Sequence, residues 1–94
     1  MSKSSMELIV ETCDSLKDLL LYKNGKYGDS ALHPIQIFAK DIDPQSSIRI
    51  RLDDKISRIA NEEEPRKNDI ADMLGYEILL CISLGWTSFE EFKD

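Results

Sequence analysis

The sequence predicts an all-α fold: a small antiparallel bundle of three long helices plus short helices, completed by oligomerisation. Three observations carry that expectation. No stretch alternates apolar and polar residues as a half-buried strand does, whereas three long segments repeat apolar residues every three or four positions. Glycine, proline and clustered polar residues punctuate the chain between those segments. The third segment is apolar nearly all round over residues 76–84, and a chain of 94 residues has few other helices to surround it. A homodimer or higher homo-oligomer built around that helix is therefore expected.

The first helix is expected over residues 4–23. Ser4 followed three residues later by Glu7 fits a capping box. Leu8, Ile9, Thr12, Cys13, Leu16, Leu19 and Leu20 recur at helical spacing, while Glu7, Glu11, Asp14 and Asp18 share another face. Four acids so spaced can join a metal site, but a solvated face near a helix start is the favoured reading. The segment KNGKYGDS, residues 23–30, breaks this helix at Gly25 and Gly28. It offers a cation in Lys26, a stacking ring in Tyr27, an acceptor in Asp29 and a hydroxyl in Ser30. A nucleotide site uses such groups, yet two glycines do not make a P-loop, and on composition alone an ordinary helix-ending loop is the favoured reading.

A short helix is expected over residues 31–40, with Pro34 in its first turn and Ile35, Ile37, Phe38 and Ala39 available for burial. His33, with no second histidine or cysteine near it, is expected to make a cap or loop hydrogen bond. Ser46 or Ser47 is expected to cap the second long helix, residues 47–61, whose buried stripe is Ile48, Leu52, Ile56 and Ile59. Arg51, Lys55 and Arg58 flank that stripe, and Asp54 lies between Arg51 and Arg58. The charged turn NEEEPRKN comes next, where Pro65 prevents an unbroken helix. The third long helix is expected over residues 66–84 and carries Asp69, Asp72 and Tyr76 at spacings of three and four. Gly85 ends it. Thr87 with Glu90 suggests another capping box, opening a terminal helix in which Trp86, Phe89 and Phe92 dock on the bundle.

Composition narrows the function. Ninety-four residues make one domain, and 41% hydrophobic residues argue against disorder. A net charge of -6 disfavours a nucleic-acid polymer as partner but leaves room for a free nucleotide, which needs only a few local cations. Cys13 and Cys81 fall within apolar helical patterns, so core thiols in a reducing compartment are expected. One histidine and two distant cysteines give no zinc spacing. No signal peptide is evident, and the longest apolar stretch, residues 78–84, is too short to cross a membrane. A cytoplasmic protein without a membrane partner is expected.

Three segments together resemble the nucleotide modification associated domain, type one, a short domain common in bacteriophage genomes. They are Lys23-Asn24-x-x-Tyr27-Gly28-Asp29-Ser30, Arg51-x-x-Asp54-Lys55-x-x-Arg58 and Asp69-x-x-Asp72-x-x-x-Tyr76. The resemblance covers residues 16–84. More distantly, the layout is similar to the all-α nucleotide pyrophosphatases of the MazG and dimeric dUTPase kind, whose helix-borne acids bind magnesium. The resemblance implies a nucleotide site of Lys26, Tyr27, Asp29, Ser30, Arg51, Lys55, Arg58 and Tyr76, with Asp54, Asp69 and Asp72 as metal ligands and magnesium as cofactor. It places the chain in phage-type nucleotide metabolism, in the cytoplasm of a bacterial host. This sequence departs from those enzymes where an EExxE-like helix is replaced by Asp53-Asp54-Lys55-Ile56-Ser57. Magnesium wants oxygen ligands, and a lysine there suits phosphate, so the departure favours binding over hydrolysis.

Three functional readings stand at this point. The chain is a magnesium-dependent nucleotide pyrophosphohydrolase, a nucleotide binder without turnover that can counter a host nucleotide signal, or a plain helical interaction module.

Overall fold

Three α-helices and one short 3-10 turn form the secondary structure of the described residues: α1 (Ser5–Tyr27), α2 (Pro44–Ala60), α3 (Lys67–Ser83) and the turn Glu90–Phe92. The computed structural model describes residues 2–34, 36, 40–62, 64 and 66–94, and no strand occurs among them. The all-α expectation is met. None of the helices is long and apolar enough to cross a membrane among the described residues.

Each helix begins where the sequence supplies an acceptor or an extended residue. At α1 the Ser4 hydroxyl accepts from the Glu7 backbone N–H at 3.1 Å, and the Glu7 carboxylate accepts from the Ser4 N–H at 3.3 Å. This is the expected capping box, which satisfies two otherwise unpartnered donors. The end of α1 differs from expectation. Gly25 lies inside the helix, which continues to Tyr27 and stops only at Gly28, whose backbone is left-handed (φ 64°). One internal glycine costs a helix only about 1 kcal/mol relative to alanine, whereas the left-handed turn that ends it favours glycine.

The start of α2 also differs. Asp43, not Ser46 or Ser47, is its cap: the carboxylate accepts from the Ser46 N–H at 2.8 Å and from the Ser46 hydroxyl at 2.9 Å. Pro44 occupies the first turn, where a missing N–H costs nothing. The Ser46 N–H bond is the main cause holding the Asp43 carboxyl below the usual range. α3 begins after Arg66 and ends at Leu84, within a residue of the expected bounds. The expected Thr87 cap does not form: Phe89 stands at the cap position with no side-chain capping bond, the Ser88 hydroxyl accepts from Glu90 N–H at 3.4 Å, and the expected terminal helix is only the 3-10 turn. The expected helix of residues 31–40 rested on Ile35, Ile37, Phe38 and Ala39, which lie outside the described residues, as does the Pro65 break.

Packing is uneven. α2 and α3 form the principal interface, and α1 touches α3 far less. Ile48 on α2 is fully buried, and Leu52 and Ile59 are half-buried, but Ile56 is exposed, so the expected stripe is covered over three of its four positions. No residue of α1 is buried. Leu16, Leu19 and Leu20 reach partial cover toward its C-terminal end, while Leu8, Ile9 and Val10 stay exposed. The expected core position of Cys13 fails for that reason: it is exposed, Cys81 is half-covered, and both are free thiols. Trp86, Phe89 and Phe92 do not dock; each is more than half exposed.

The surface and extent of the chain carry the same imbalance. It exposes 7795 Å², against about 5,500 Å² for a folded monomer of its mass. Its radius of gyration is 15.5 Å, against about 12 Å for a compact domain of this length.

Candidate functional site

The three sequence segments meet where the C-terminal end of α1, the middle of α2 and the first half of α3 come together. A ladder of charges joins the helices there. Lys23 Nζ on α1 donates to Asp72 Oδ1 on α3 at 3.0 Å. Lys55 Nζ on α2 lies 3.0 Å from the other oxygen of Asp72 and 3.4 Å from Asp69 Oδ1. The second Asp69 oxygen faces Arg66 Nε at 3.5 Å, and Arg66 in turn reaches Glu62 at 3.2 Å. Asp69 is 1% exposed, and no buried side-chain polar atom among the described residues lacks a partner.

Helical spacing explains this convergence. Asp69 and Asp72 occupy adjacent turns of α3, so one lysine from α2 reaches both. Burial pushes the Asp72 carboxyl up, but the bonds from Lys23 and Lys55 outweigh it and hold the group below its usual range. The Asp72 bond likewise raises the Lys55 ammonium, by more than burial lowers it. Both groups are therefore ionised at neutral pH, and the pair is a fixed electrostatic link between α2 and α3.

Beside the ladder lies a cavity of about 400 Å³, within the range of about 300–1,000 Å³ common for small-molecule sites. Its polar wall is formed by Lys23, Asn24, Asp29, Ser30, Arg51 and Asp72. Tyr27 and Tyr76 supply aromatic faces, and leucines of α1 and α3 supply the apolar floor. Gly75 also lines it. A Cβ at that position would stand 2.7 Å from a terminal carbon of Leu20, so the glycine admits the α1 side chain. The Arg51 guanidinium lies 5.7 Å from the centre of the Tyr76 ring, a cation–π distance.

The loop that closes α1 shapes the rim. Asp29 comes after Gly28 with a second left-handed backbone (φ 60°), a conformation that aspartate tolerates better than most residues. Its carboxylate accepts from the Asn24 amide at 2.7 Å and lies 3.3 Å from His33 Nε2, the loop contact expected of that histidine.

Of the residues expected in a nucleotide site, Tyr27, Asp29, Ser30, Arg51 and Tyr76 line this cavity. Lys26 does not. Its ammonium sits 5.9 Å and 5.6 Å from the Tyr22 and Tyr27 ring centres. Lys23, which belongs to the first segment but was not among the expected site residues, lines the cavity instead. Lys55 is engaged by the two aspartates, and Arg58 is exposed and outside the lining.

The expected metal ligands are not assembled as a carboxylate cage. Asp54 is exposed, a lysine ammonium stands between Asp69 and Asp72, and among the described residues no three His, Cys, Asp or Glu gather as a metal site. Magnesium requires oxygen donors, and this donor set does not fit an ion held by protein carboxylates. The first-helix acids do not alter that picture. Glu11 pairs with Lys3 at 2.6 Å, and Asp14 lies 3.9 Å from Lys17.

A second hollow of about 490 Å³ lies at the start of α2, between Leu32, His33, Asp43, Arg49 and Ile82. Its one carboxylate is consumed by the helix cap, and it holds none of the residues of the three segments.

No protein-family profile, curated protein or solved structure matches the chain.

Proposed function

We propose that the chain binds a (deoxy)nucleotide or a related phosphorylated small molecule in phage-type nucleotide metabolism, and that it does so without needing to turn the ligand over. The observation that carries this reading is that three segments separated in sequence contribute to one cavity with the groups a nucleotide requires. Arg51 would supply the cation for a phosphate, with Lys23, bonded to Asp72, beside it. Tyr27 and Tyr76 offer rings for a base, and Asp29, Ser30 and Asn24 offer acceptors and donors for sugar and base edges. Binding without hydrolysis is favoured by Lys55, which fills the space between Asp69 and Asp72 where a pyrophosphatase of this layout would place its metal. Sequestering a host nucleotide signal is one use of such a binder.

We further propose that the chain acts as a homodimer or larger homo-oligomer. The surface in excess of a compact monomer is about 2,300 Å² per chain, and two chains covering it would bury an area typical of obligate interfaces, about 2,000–5,000 Å² in total. The exposed Leu8, Ile9 and Val10 of α1 are the apolar residues such an interface would cover.

Phosphorus NMR with deoxynucleoside mono- and triphosphates, in the presence of magnesium, tests the reading. Broadened or shifted lines from intact nucleotides are expected. Growth of pyrophosphate and monophosphate signals would establish the pyrophosphohydrolase instead. Spectra unchanged at millimolar protein would leave the interaction module.

A further inference from the structure

The charges around the cavity are unequally committed. Among the described residues, four charged side chains line it: Lys23, Arg51, Asp29 and Asp72. Lys23 is bound to Asp72, and the other oxygen of Asp72 is bound to Lys55. Along the ladder, three cations (Lys23, Lys55, Arg66) meet three anions (Asp72, Asp69, Glu62), so the ladder carries no surplus charge. Among the described residues Arg51 makes no ion pair and no side-chain hydrogen bond; its guanidinium lies over the Tyr76 ring at 5.7 Å. Asp29 remains as the one lining anion outside the ladder, held by Asn24 and facing His33.

Resting on the reading of this cavity as a nucleotide site, we infer that it selects a nucleotide carrying a single phosphate group, held by Arg51, over its di- and triphosphate forms. A lone phosphate bears roughly one to two negative charges at neutral pH. One guanidinium recognises such a group through two parallel hydrogen bonds. Each added phosphate brings more negative charge against Asp29 and Asp72, in a chain already at -6, with no second uncommitted cation lining the cavity among the described residues. Gaining a second cation would require Lys23 to leave Asp72, which lies in a partly buried position. The shared chemistry is one phosphate, either an open 5′-monoester or a cyclic diester. The tyrosines then stack the base, and Asp29 accepts from sugar or base N–H and O–H groups.

The experiment is isothermal titration calorimetry of the full chain at fixed ionic strength without divalent ions. The probes are the deoxynucleosides of each natural base, their 5′-monophosphates, their 3′,5′-cyclic monophosphates and their 5′-triphosphates. A singly phosphorylated form is expected to bind about 10–100-fold more tightly than its nucleoside, the range of a charge-assisted bond. The triphosphate is expected to bind more weakly than the monophosphate, because its added charge meets Asp29 and Asp72 with no further uncommitted cation. Preference for the cyclic form assigns a diester ligand, and preference for the open form assigns a monoester; either supports the inference. Arg51→Ala is expected to bring the monophosphate to the level of the nucleoside, with Arg51→Lys intermediate. Asp29→Asn, which keeps a left-handed-tolerant residue, is expected to raise triphosphate affinity more than monophosphate affinity. A triphosphate bound as tightly as the monophosphate, or more tightly, would overturn the inference while leaving the nucleotide site standing. Equal affinity for nucleoside and monophosphate would overturn it too. No binding by any probe would overturn the nucleotide reading, and this inference with it.

Discussion

The two ends of the structure show opposite uses of the same helical pattern. At the α2–α3 interface, a short apolar stripe and a partly buried charge ladder are both satisfied within one chain: Ile48 and Asp69 are almost completely covered, and every buried polar side-chain atom among the described residues has a partner. On the N-terminal half of α1, residues with the same three-and-four spacing have nothing over them: Met6, Ile9 and Val10 are 79%, 63% and 58% exposed. Periodicity alone marks a helix face as suited to burial, but a second surface must exist to bury it. α2 and α3 find that surface in each other, while α1 reaches α3 only toward its C-terminal end. That end holds Lys23 and Tyr27, so the weakest-packed helix contributes a cation and a ring to the cavity.

The largest expected effect would come from breaking the satisfied end. Lys55→Ala leaves the Asp69 carboxylate buried without its α2 partner, and urea unfolding is expected to show a loss of about 3 kcal/mol. The double change Lys55→Met with Asp69→Leu removes both charges and should recover most of that loss. A single-variant cost below about 1 kcal/mol would mean that the ladder is not a buried electrostatic link.

At the other end, Ile9→Asp is expected to leave α2 and α3 intact while weakening self-association by about tenfold or more, since an isoleucine that becomes buried contributes about 1.5–3 kcal/mol. Light scattering at micromolar concentration reports this directly. The unsubstituted chain should show at least twice the single-chain mass, and a monomeric mass would refute the proposal that another copy covers α1.

A smaller effect should appear with pH, and its sign comes from Asp72. Its carboxyl is held below the usual range in the folded chain, so its contribution is complete above the unfolded pKa of about 3.9 and is lost as pH falls through the lower folded value. Lys55 shifts the other way. Its raised pKa contributes stability that is complete below the unfolded value of about 10.4 and is lost as pH rises through the folded value. Circular dichroism melts should therefore be level between these limits as far as this pair is concerned, and Asp72→Asn should flatten the acid limb. An unchanged acid limb in that variant would remove Asp72 as its cause.

The smallest effect belongs to the α1 cap. Ser4→Ala is expected to reduce helicity at the start of α1 and cost about 0.5–1 kcal/mol. Hydrogen exchange at the amides of Glu7 and Leu8 would report it; unaltered exchange would contradict the cap.

Local signals in the sequence suffice for local features. The Ser4–Glu7 box, the bounds of α3 and the absence of strands rest on short-range pattern and match the described structure. Punctuation misleads where two signals compete. Gly25 reads as an end of α1, although Gly28 provides the left-handed cap, and Ser46 and Ser47 read as caps of α2, although Asp43 stands directly before Pro44 in the first turn. The first of these conflicts moves a site residue. On a helix that continues to Tyr27, Lys23 and Tyr27 stand four residues apart on one face, and Lys26 pairs with Tyr22 on another. The i, i+4 rule points to Lys23 once the helix is drawn to its full length. The contact between Lys23 and Asp72, 49 positions apart, has no local signature. Nor does the exposure of α1, which depends on what packs against it rather than on its own pattern.

The most direct measurement is a proton–nitrogen NMR titration of the labelled chain with the deoxynucleoside monophosphates. Shifts are expected to gather at Asn24, Tyr27, Ser30, Ala71, Gly75 and Tyr76, which line the cavity where the three helices meet, and to spare Met6 to Glu11. Saturable shifts confined to Asp43, Ser46 and Arg49 at the start of α2, or no saturable shifts anywhere, would contradict a nucleotide site in that cavity.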